Sequence, residues 1–331
     1  MSLAKRFKLT DNTIRLIVFI VILAVFVIIN PDVVSFANII SFCNNMVYNG
    51  LLAMALMMLF VMGILDLAVT GYGIFGAYAT IVICMKFFMG INIWLMMLMS
   101  AVIGALCAMC TGYVIYKFKL PGILVSVAAG NIFTMALFLE GSGSGNVPAT
   151  VLPPDWMSYN NINLYQASLG TMTVRLHFSV LILFAVIFAV WFYTKKTVEG
   201  RSIYAIGGNT EAAVRMGIDF RKTYLMTFAF AGFIAGLAIM MEYMRGGGNV
   251  NPLVVQGNHG DAIAAVIFGG TQLGTGKGGS VLGTLIGILT ITLIKTSLIM
   301  LGVPSYAQTF VIGLLLLGSV VLAAYKDFNK E

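Results

Sequence analysis

The stretch IRLIVFIVILAVFVII, residues 14–29, has Arg15 as its only charged side chain and ends at Asn30-Pro31. A helix that crosses a bilayer needs about 20 mostly apolar residues, and this stretch with its flanks supplies them. Comparable stretches recur along the chain, so that 60% of its 331 residues are apolar and 9% are charged. Ordinary globular proteins are about 25% charged. The sequence therefore excludes a soluble protein and predicts an all-α, polytopic membrane protein.

Ten apolar stretches have the composition of membrane helices, and we expect residues 1–331 to form a single transmembrane domain. The eighth stretch is too short to span a bilayer unaided, so we expect some of the helices to be short or broken. The predicted helices are Ile14–Ile29, Asn44–Leu65, Leu67–Phe88, Ile91–Tyr116, Pro121–Glu140, Leu176–Tyr193, Thr223–Tyr243, Asp261–Leu273, Ser280–Leu301 and Pro304–Tyr325.

The basic residues predict the orientation of these helices, because cytoplasmic loops are enriched in Lys and Arg. If the N-terminus is inside, fifteen of the 19 Lys and Arg residues fall in inside segments and three fall outside, with Lys295 left within the ninth helix. The sequence thus predicts ten spans with both termini cytoplasmic, an outside loop at 141–175 and a cytoplasmic segment at 194–222. This asymmetry explains the net charge of +7 without nucleic acid.

Glycine is abundant, with 36 residues, and two clusters in opposite halves of the chain match G-x-G-x-x-G, at Gly71–Gly76 and Gly274–Gly279. A dinucleotide site would need a preceding strand, and both clusters lie between apolar helices instead. We interpret them as places where helices break or pack closely, and their placement suggests an internal two-fold repeat. Further glycines spaced by four predict close helix contacts on one face, at Gly232 and Gly236 and at Gly279, Gly283 and Gly287.

The sequence contains no pattern that predicts catalysis. There is no G-x-x-x-x-G-K-[ST] motif, so the chain is not expected to bind ATP by a P-loop itself. The four cysteines lie in or beside apolar stretches, and we interpret them as inert, including the Cys107-x-x-Cys110 pair. The two histidines are far apart in sequence and belong to no metal-ligand cluster. We therefore predict a chain with no cofactor or metal of its own.

Polar residues at membrane depth are candidates for a translocation pathway, because ionisable groups there usually pair or line a cavity. Asp66 either caps the third helix or lines the pathway. Lys295 is expected to face a polar cavity or a partner subunit, whereas Glu242 and Asp261 are interpreted as helix-end residues near water. The predicted pathway residues are Asn45, Asn49, Asp66, Gly71, Gly73, Asn131, Gly270 and Lys295.

The cytoplasmic segment contains GRSIYAIGGNTEAAVRMGI, residues 200–218, which closely resembles the cytoplasmic loop of permeases in ribose-type simple-sugar ABC importers. The stretches DAIAAVIFGGT at 261–271 and GSVLGT at 279–284 are also similar to that family. A third similarity lies around Asn49-Gly50 and Gly63-Ile-Leu-Asp66-Leu67, although the residues before Asp66 and Ala68 after it depart from the usual pattern. The resemblance covers nearly the whole chain.

The resemblance implies a permease subunit that works as a pair, identical or homologous, within the membrane lipid. Its partners would be one or two ATP-binding cassette subunits, which bind ATP and Mg²⁺, and a periplasmic or lipid-anchored binding protein that delivers a sugar such as ribose, xylose or galactose. Asn209 is predicted to be the N-cap of a short docking helix that follows a turn at Gly207-Gly208. The residues predicted to couple to the ATPase are Gly200, Arg201, Tyr204, Gly207, Asn209, Glu211, Ala212, Ala213, Arg215 and Gly217.

Several alternatives remain open from the sequence. The cargo of such an importer could instead be nucleoside-like. An ion-coupled secondary transporter would use Asp66, Glu242 or Lys295 to carry protons, but it would leave the docking segment unexplained. A membrane-embedded enzyme lacks a catalytic cluster, and a channel lacks a repeated pore motif.

Overall fold

The structure is a computed structural model that describes residues 11–88, 90–136, 147–148, 152–169, 172–247, 249–255, 259–272 and 278–328. These residues are predominantly α-helical. The helices are α1 (Asp11–Ile29), α2 (Phe36–Val61), α3 (Val69–Phe87), α4 (Ile93–Phe118), α5 (Gly122–Met135), α6 (Ser179–Lys196), α7 (Val198–Gly208), α8 (Thr210–Arg215), α9 (Phe220–Gly246), α10 (His259–Phe268), α11 (Val281–Met300) and α12 (Ser305–Phe328).

Each predicted membrane helix corresponds to one apolar helix, namely α1–α6 and α9–α12. Among the described residues, seven of these helices are long and apolar enough to cross a membrane, and α5, α10 and the apolar part of α12 are shorter. The all-α, polytopic fold is therefore confirmed, as is the short eighth span, which is α10. The first half of the suggested repeat lies within α3, but 273–277 are outside the described residues, so the repeat stays a prediction.

Helix α2 forms the centre of the bundle. It packs against α9, α11, α10 and α6, and every residue from Leu51 to Val61 is buried. A helix that is apolar on all sides is stable only when other helices or lipid surround it, and here the other helices do so. Helix α1 is the opposite case, because none of its residues is buried and it packs at the periphery beside α11.

Glycines bring α3, α4 and α9 into backbone contact. A Cβ atom added to Gly76 would lie 2.6 Å from the carbonyl oxygen of Ser100, and one added to Gly232 would overlap the carbonyl oxygen of Gly104. Gly236 meets Ser100 in the same way, and Ser100 Oγ donates a 2.7 Å hydrogen bond to the carbonyl oxygen of Gly236. The predicted close contact through Gly232 and Gly236 is confirmed.

A second close contact joins α10 to α11. Cβ atoms on Gly283 and Gly287 would overlap the carbonyl oxygens of Gly269 and Ala265, so the predicted glycine face is confirmed for these two positions. Gly279 precedes α11 and contacts the side chain of Val61 at the end of α2 instead.

The two polar segments lie at opposite ends of the bundle. Helix α6 begins directly after the second strand of a β-hairpin and ends directly before α7, and its 18 residues span about 27 Å. We call these the hairpin end and the α7–α8 end. The hairpin consists of β2 (Asn163–Leu169) and β3 (Met172–His177), which pair antiparallel, and β1 (Val147–Pro148) pairs with β4 (Asn249–Val250) at the same end.

The hairpin corrects the sequence-based prediction for this region. We expected a loop over 141–175 and a sixth helix from Leu176, whereas Leu176 lies in β3 and α6 begins at Ser179. Strand β3 alternates between outward and inward side chains, with Val174 buried between the exposed Thr173 and Arg175. This alternation is typical of a strand with one covered face, and it was readable in the sequence.

Candidate functional site

The chain between α2 and α3 is not helical and holds a fully buried carboxylate. Gly63 makes the turn with φ at +83°, and residues 64–68 have no regular secondary structure. The backbone N–H of Ala68 donates to Asp66 Oδ1 over 2.7 Å, and the Tyr72 hydroxyl donates to Oδ2 over 3.1 Å. These two donors compensate part of the cost of burying the carboxylate. The N-cap hypothesis is wrong in detail, because Ala68 is the N-cap of α3 and Asp66 stabilises the turn before it.

Ser126 on α5 forms a hydrogen bond with this non-helical segment. Its hydroxyl accepts a 3.2 Å hydrogen bond from the backbone N–H of Leu67 and donates a 3.0 Å bond to the carbonyl oxygen of Ile123. A non-helical backbone at membrane depth is tolerated only where protein or a water-filled cavity satisfies its polar groups. Ser126 supplies one such partner, and the sequence-based analysis did not single it out.

Helix α5 exposes most of its surface. Gly71 and Gly130 let α3 and α5 approach, with a Cβ on Gly71 at 2.9 Å from the Gly130 Cα atom. On the outward side Asn131 is exposed beside the large apolar residues Leu124 and Ile132. An exposed amide among apolar residues is unfavourable in lipid. This face of α5 is therefore suited to contact protein or water rather than lipid alone.

Asp261 on α10 and Lys295 on α11 are 34 residues apart in the sequence and form an ion pair. Lys295 Nζ donates a short hydrogen bond to Asp261 Oδ2. The Asp261 side chain is 13% exposed and that of Lys295 is 36% exposed. Asp261 lies in the first turn of α10, as expected, but its side chain is mostly buried against Lys295 instead of lying in water. The pair neutralises two charges, and the Lys295 side chain stays partly exposed.

Asn45 and Arg245 form a polar contact at the hairpin end of the bundle. Arg245 Nη2 donates to Asn45 Oδ1 over 3.1 Å and Nη1 lies 4.0 Å from the carboxylate of Glu242. Asn49 is one turn deeper on α2 and is partly exposed. Asn45 therefore lies at the mouth of the bundle rather than at its midplane.

The hairpin is held to α2 by Asn44 and His177. Asn44 Nδ2 donates to the carbonyl oxygen of Arg175 over 2.8 Å, and Asn44 Oδ1 accepts from the backbone N–H of His177 over 3.0 Å. The His177 ring nitrogens lie 2.7 Å from the carbonyl oxygen of Tyr159 and 2.9 Å from the Ser179 hydroxyl. Burial lowers the pKa of His177. A neutral imidazole is therefore favoured as a structural support of the hairpin.

Gly270 and Gly73 allow close contacts instead of offering a polar surface. Gly270 turns the chain after α10 with φ at +82°, and the guanidinium of Arg15 on α1 lies where a Cβ atom would be. A Cβ on Gly73 would come within 2.5 Å of the carbonyl oxygen of Ala235 on α9. Gly71 and Gly73 lie inside α3, so they pack helices together and do not break one.

At the opposite end, α7 and α8 form a helical corner. Thr197 caps α7 by accepting from the backbone N–H of Gly200, and Asn209 caps α8 by accepting from the backbone N–H of Ala212 over 2.9 Å. The predicted N-cap and short helix are confirmed. The turn differs from the prediction, because Gly207 and Gly208 are the last residues of α7 and the extended residue is Asn209.

The outer face of α8 is exposed and partly apolar. Met216 is 70% exposed and Val214 is 51% exposed. The side chains of Glu211 and Arg215 are more than four-fifths exposed and lie 3.9 Å apart one turn along the helix. We call Glu211, Ala212, Val214, Arg215 and Met216 the α8 surface. Exposed large apolar side chains rimmed by charges are typical of a protein–protein contact.

Other predicted coupling residues point inward or shape the backbone. Ala213 is fully buried, so it contacts the bundle and is not available for docking. Gly200 is buried against the backbone of Tyr193, where no side chain fits. Tyr204 is partly buried, and Gly217 ends the corner with φ at +82°. Arg201 is exposed.

An ion pair holds the α7–α8 corner to α9. Lys222 Nζ lies 2.8 Å from Glu199 Oε1. The hydrogen bond from Lys222 lowers the pKa of Glu199 and raises that of Lys222, so the charged pair is favoured at neutral pH. Helix α7 also packs against α2 and α6, so the corner is in direct contact with the centre of the bundle.

The predicted pathway residues do not form one cluster in the single chain. Asp66 lies in the segment before α3, Gly71 lies at the α3–α5 contact and Asn131 lies on the exposed side of α5. Lys295 lies between α10 and α11, and Asn45 lies at the hairpin end. Tyr72 and Arg15 belong to these sites but were not singled out from the sequence. Both look like ordinary helix residues until the tertiary contacts are known.

Comparisons with known proteins cover almost the whole chain. Residues 38–320 match the family described as branched-chain amino acid transport system / permease component. The ribose import permease protein of Haemophilus influenzae is 31% identical over 95% of this chain and 93% of its own length. The D-allose transport system permease protein of Escherichia coli K12 is 36% identical over 50% of this chain and 49% of its own. The xylose transport system permease protein of Haemophilus influenzae is 38% identical over 46% and 40%.

No solved structure matches the chain. The family match extends from the first turn of α2 into α12, and it includes the buried Asp66 turn, the α7–α8 corner and the Asp261–Lys295 pair. Together with the relative that aligns over nearly its full length, this places the whole helical bundle in one family. The chain belongs to the family of membrane permease components of transport systems.

Proposed function

We propose that this chain is the permease subunit of an ATP-binding-cassette importer that carries a simple sugar across the inner membrane. The observation that carries the proposal is the alignment with a ribose import permease over 93% of that protein's length. Relatives named for D-allose and xylose transport support a monosaccharide cargo. Ribose, xylose and galactose are the cargoes we favour, with nucleoside-like compounds as the runner-up.

In this proposal the ATP-binding cassettes, which hold ATP and Mg²⁺, dock on the α8 surface. Helix α7 packs against α6, α9 and α2, and α2 ends at the non-helical segment that holds Asp66. Closure of the cassettes would push the α7–α8 corner, and the shift would pass along α2 to this segment. The sugar would enter at the hairpin end from a periplasmic or lipid-anchored binding protein.

A pair of permease subunits would form the pathway between them. The support is the exposed face of α5, where Asn131 lies among large apolar side chains. Amide groups such as this one hydrogen-bond sugar hydroxyls readily, and the partner subunit would shield the apolar residues from water. Asp66, Asn49 and Lys295 remain pathway candidates, with Lys295 presenting its ammonium from the α10–α11 pair.

Introducing charge on the α8 surface tests cassette docking. Val214→Glu combined with Met216→Glu should leave the bundle folded, because both side chains are exposed. Loss of a central apolar contact costs about 2 kcal/mol, or roughly a thirty-fold weaker Kd. We therefore expect loss of the co-purified cassette and of ATP-dependent uptake. Met157→Glu, at an exposed residue of the opposite, hairpin end, is the control for an added charge and should retain the co-purified cassette. Normal cassette binding by the double variant would contradict the proposal.

Cysteine labelling tests the orientation. Ser168 on the hairpin and Arg201 on α7 are both exposed and lie at opposite ends of the bundle. In whole cells an impermeant maleimide should label Ser168→Cys, and it should label Arg201→Cys only after the membrane is opened. The unmodified chain gives the background from its four free cysteines. Labelling of both positions from the same side would overturn the topology.

The ion-coupled transporter is the second candidate, and the Asp261–Lys295 pair is the observation that favours it. Uptake in energised cells separates the two mechanisms. An importer of the proposed kind should keep working when a protonophore collapses the proton gradient while ATP is maintained, whereas an ion-coupled transporter should stop.

A further inference from the structure

A cavity at the α7–α8 end of the bundle shares no lining residue with the α8 surface or the Asp261–Lys295 pair. Its volume is about 270 Å³, and it lies between the start of α5, the end of α4, the start of α9 and the non-helical segment after α2. Leu120 and Ile123 on its wall are 44% and 41% exposed, so it is open to the surroundings of the bundle. The lining residues are Gly63, Ile64, Leu65, Ile115, Leu120, Gly122, Ile123 and Tyr224.

The lining of this cavity does not suit a sugar. All of its side chains are aliphatic except that of Tyr224, and three of its residues, Gly63, Ile64 and Leu65, belong to the non-helical segment after α2. A polyol would lose its hydrogen bonds with water there and gain few in return. A hydrocarbon chain forms no hydrogen bonds with water and would therefore lose none in the cavity. The cavity is therefore chemically matched to an apolar chain.

Two exposed cations are close in sequence to lining residues of the cavity. Lys119 directly precedes the lining residue Leu120 and is exposed at the C-terminal end of α4. Arg221 is exposed on α9 one turn before the lining residue Tyr224, on the same helix face. Within the described part of the chain neither forms an ion pair. Asp219, the neighbouring acid, is engaged as the N-cap of α9.

The aromatic rings beside the rim complete the site. Tyr116, Phe220 and Tyr224 form a continuous row, with ring centroids 5.9 Å and 5.2 Å apart. Tyrosines are enriched where lipid headgroups meet the hydrocarbon region. Basic pockets between membrane helices on the cytoplasmic side bind anionic lipid headgroups. The apolar cavity is matched to the hydrocarbon tail of a lipid. The cations and the aromatic row are matched to a negative headgroup at the membrane interface.

We propose that this cavity binds an anionic phospholipid, with one acyl chain in the cavity and the phosphate between Lys119 and Arg221. The inference does not depend on the identity of the cargo. The chain would contact Gly63 to Leu65, the residues that lead into the buried Asp66 turn. Bound lipid would thereby restrain the segment that links α2 to α3. Anionic lipid is then expected to alter transport as well as to bind.

Native mass spectrometry of the purified permease tests this site. The protein is incubated with phosphatidylglycerol or with phosphatidylcholine of the same acyl chains, and the bound lipid is counted. We expect preferential retention of phosphatidylglycerol. Lys119→Gln combined with Arg221→Gln should weaken that binding about thirty-fold, because each cation near a membrane surface contributes about a fivefold attraction to anionic lipid.

Two further variants separate the tail contact from general charge. Ile123→Trp should fill the cavity and reduce retention with both cations still in place. Lys195→Gln combined with Lys196→Gln removes the same charge at the same end of the bundle. The ammonium groups of these lysines lie over the rings of Tyr204 and Trp191. This variant should leave the retention of phosphatidylglycerol unchanged.

Three outcomes would overturn the proposal: equal retention of the two lipids, retention that survives both Ile123→Trp and the Lys119/Arg221 variant, or no lipid retained by the unmodified protein. A disulfide formed between two copies of Ile123→Cys would likewise overturn it, because it would show a second subunit covering the cavity. If the binding protein and cassettes fail to support sugar uptake while lipid binding behaves as expected, the lipid site stands without the proposed function.

Discussion

Replacing Gly232 by leucine is expected to prevent assembly of the folded protein. A Cβ atom at this position would overlap the carbonyl oxygen of Gly104 and the methyl group of Ala108 on α4. Two helix backbones cannot move apart locally without separating α3, α4 and α9 along their length. Overpacking in a core costs about 1–3 kcal/mol when side chains can adjust, and backbone overlap should exceed that range. The free energy of unfolding of a folded protein is only about 5–15 kcal/mol.

The measurement is the yield and thermal unfolding midpoint of the detergent-solubilised protein. Gly313→Leu on α12 is the matched control, because nothing lies within 4 Å of a Cβ atom added there. It should purify with an unchanged midpoint. If Gly232→Leu gave the same yield and midpoint as Gly313→Leu, the close α4–α9 contact would be wrong.

Breaking the Asp261–Lys295 pair is expected to have the second largest effect. Lys295→Leu strands the Asp261 carboxylate, which is 13% exposed, and Asp261→Leu strands the ammonium. Leaving one buried charge unpaired costs about 3–5 kcal/mol. Both single variants should therefore unfold at lower temperature than the unmodified protein and lose uptake.

The double variant Asp261→Leu/Lys295→Leu separates stability from transport. Replacing a buried ion pair by apolar residues is often neutral for stability, so its unfolding midpoint should recover. Uptake should remain low if Lys295 faces the pathway. Full uptake by the double variant would show that the pair serves only to join α10 and α11, and unchanged midpoints in both single variants would contradict the pairing itself.

The sequence by itself determined which segments are membrane helices. The fifteen apolar residues among 14–29 can avoid water in only a few ways, and a helix is the one that satisfies its own backbone. Local chemistry also determined the start of α8, because an N-cap depends on residues three positions apart, and Asn209 bonds to the N–H of Ala212 as expected. Glycine spacing likewise indicated the faces through Gly232 and Gly236 where helices meet.

The β2–β3 hairpin could in principle have been predicted from its alternating residues, although it lies in a segment rich in turn-forming residues. Its contact with α2 could not have been predicted, because Asn44 bonds to a backbone carbonyl more than a hundred residues away. Such contacts depend on how helices and loops are brought together.

Only the tertiary structure decided the partners of the charged groups and the direction of each side chain on α8. Asp261 and Lys295 are 34 residues apart, and they meet because glycines on α11 draw it against α10. Ala213 looks equivalent to Ala212 in sequence, yet it is buried because α8 packs on the bundle with that face. Side-chain chemistry sets what a residue is able to do, but helix packing sets which group it meets, since rotating a helix by half a turn exchanges a protein neighbour for water or lipid.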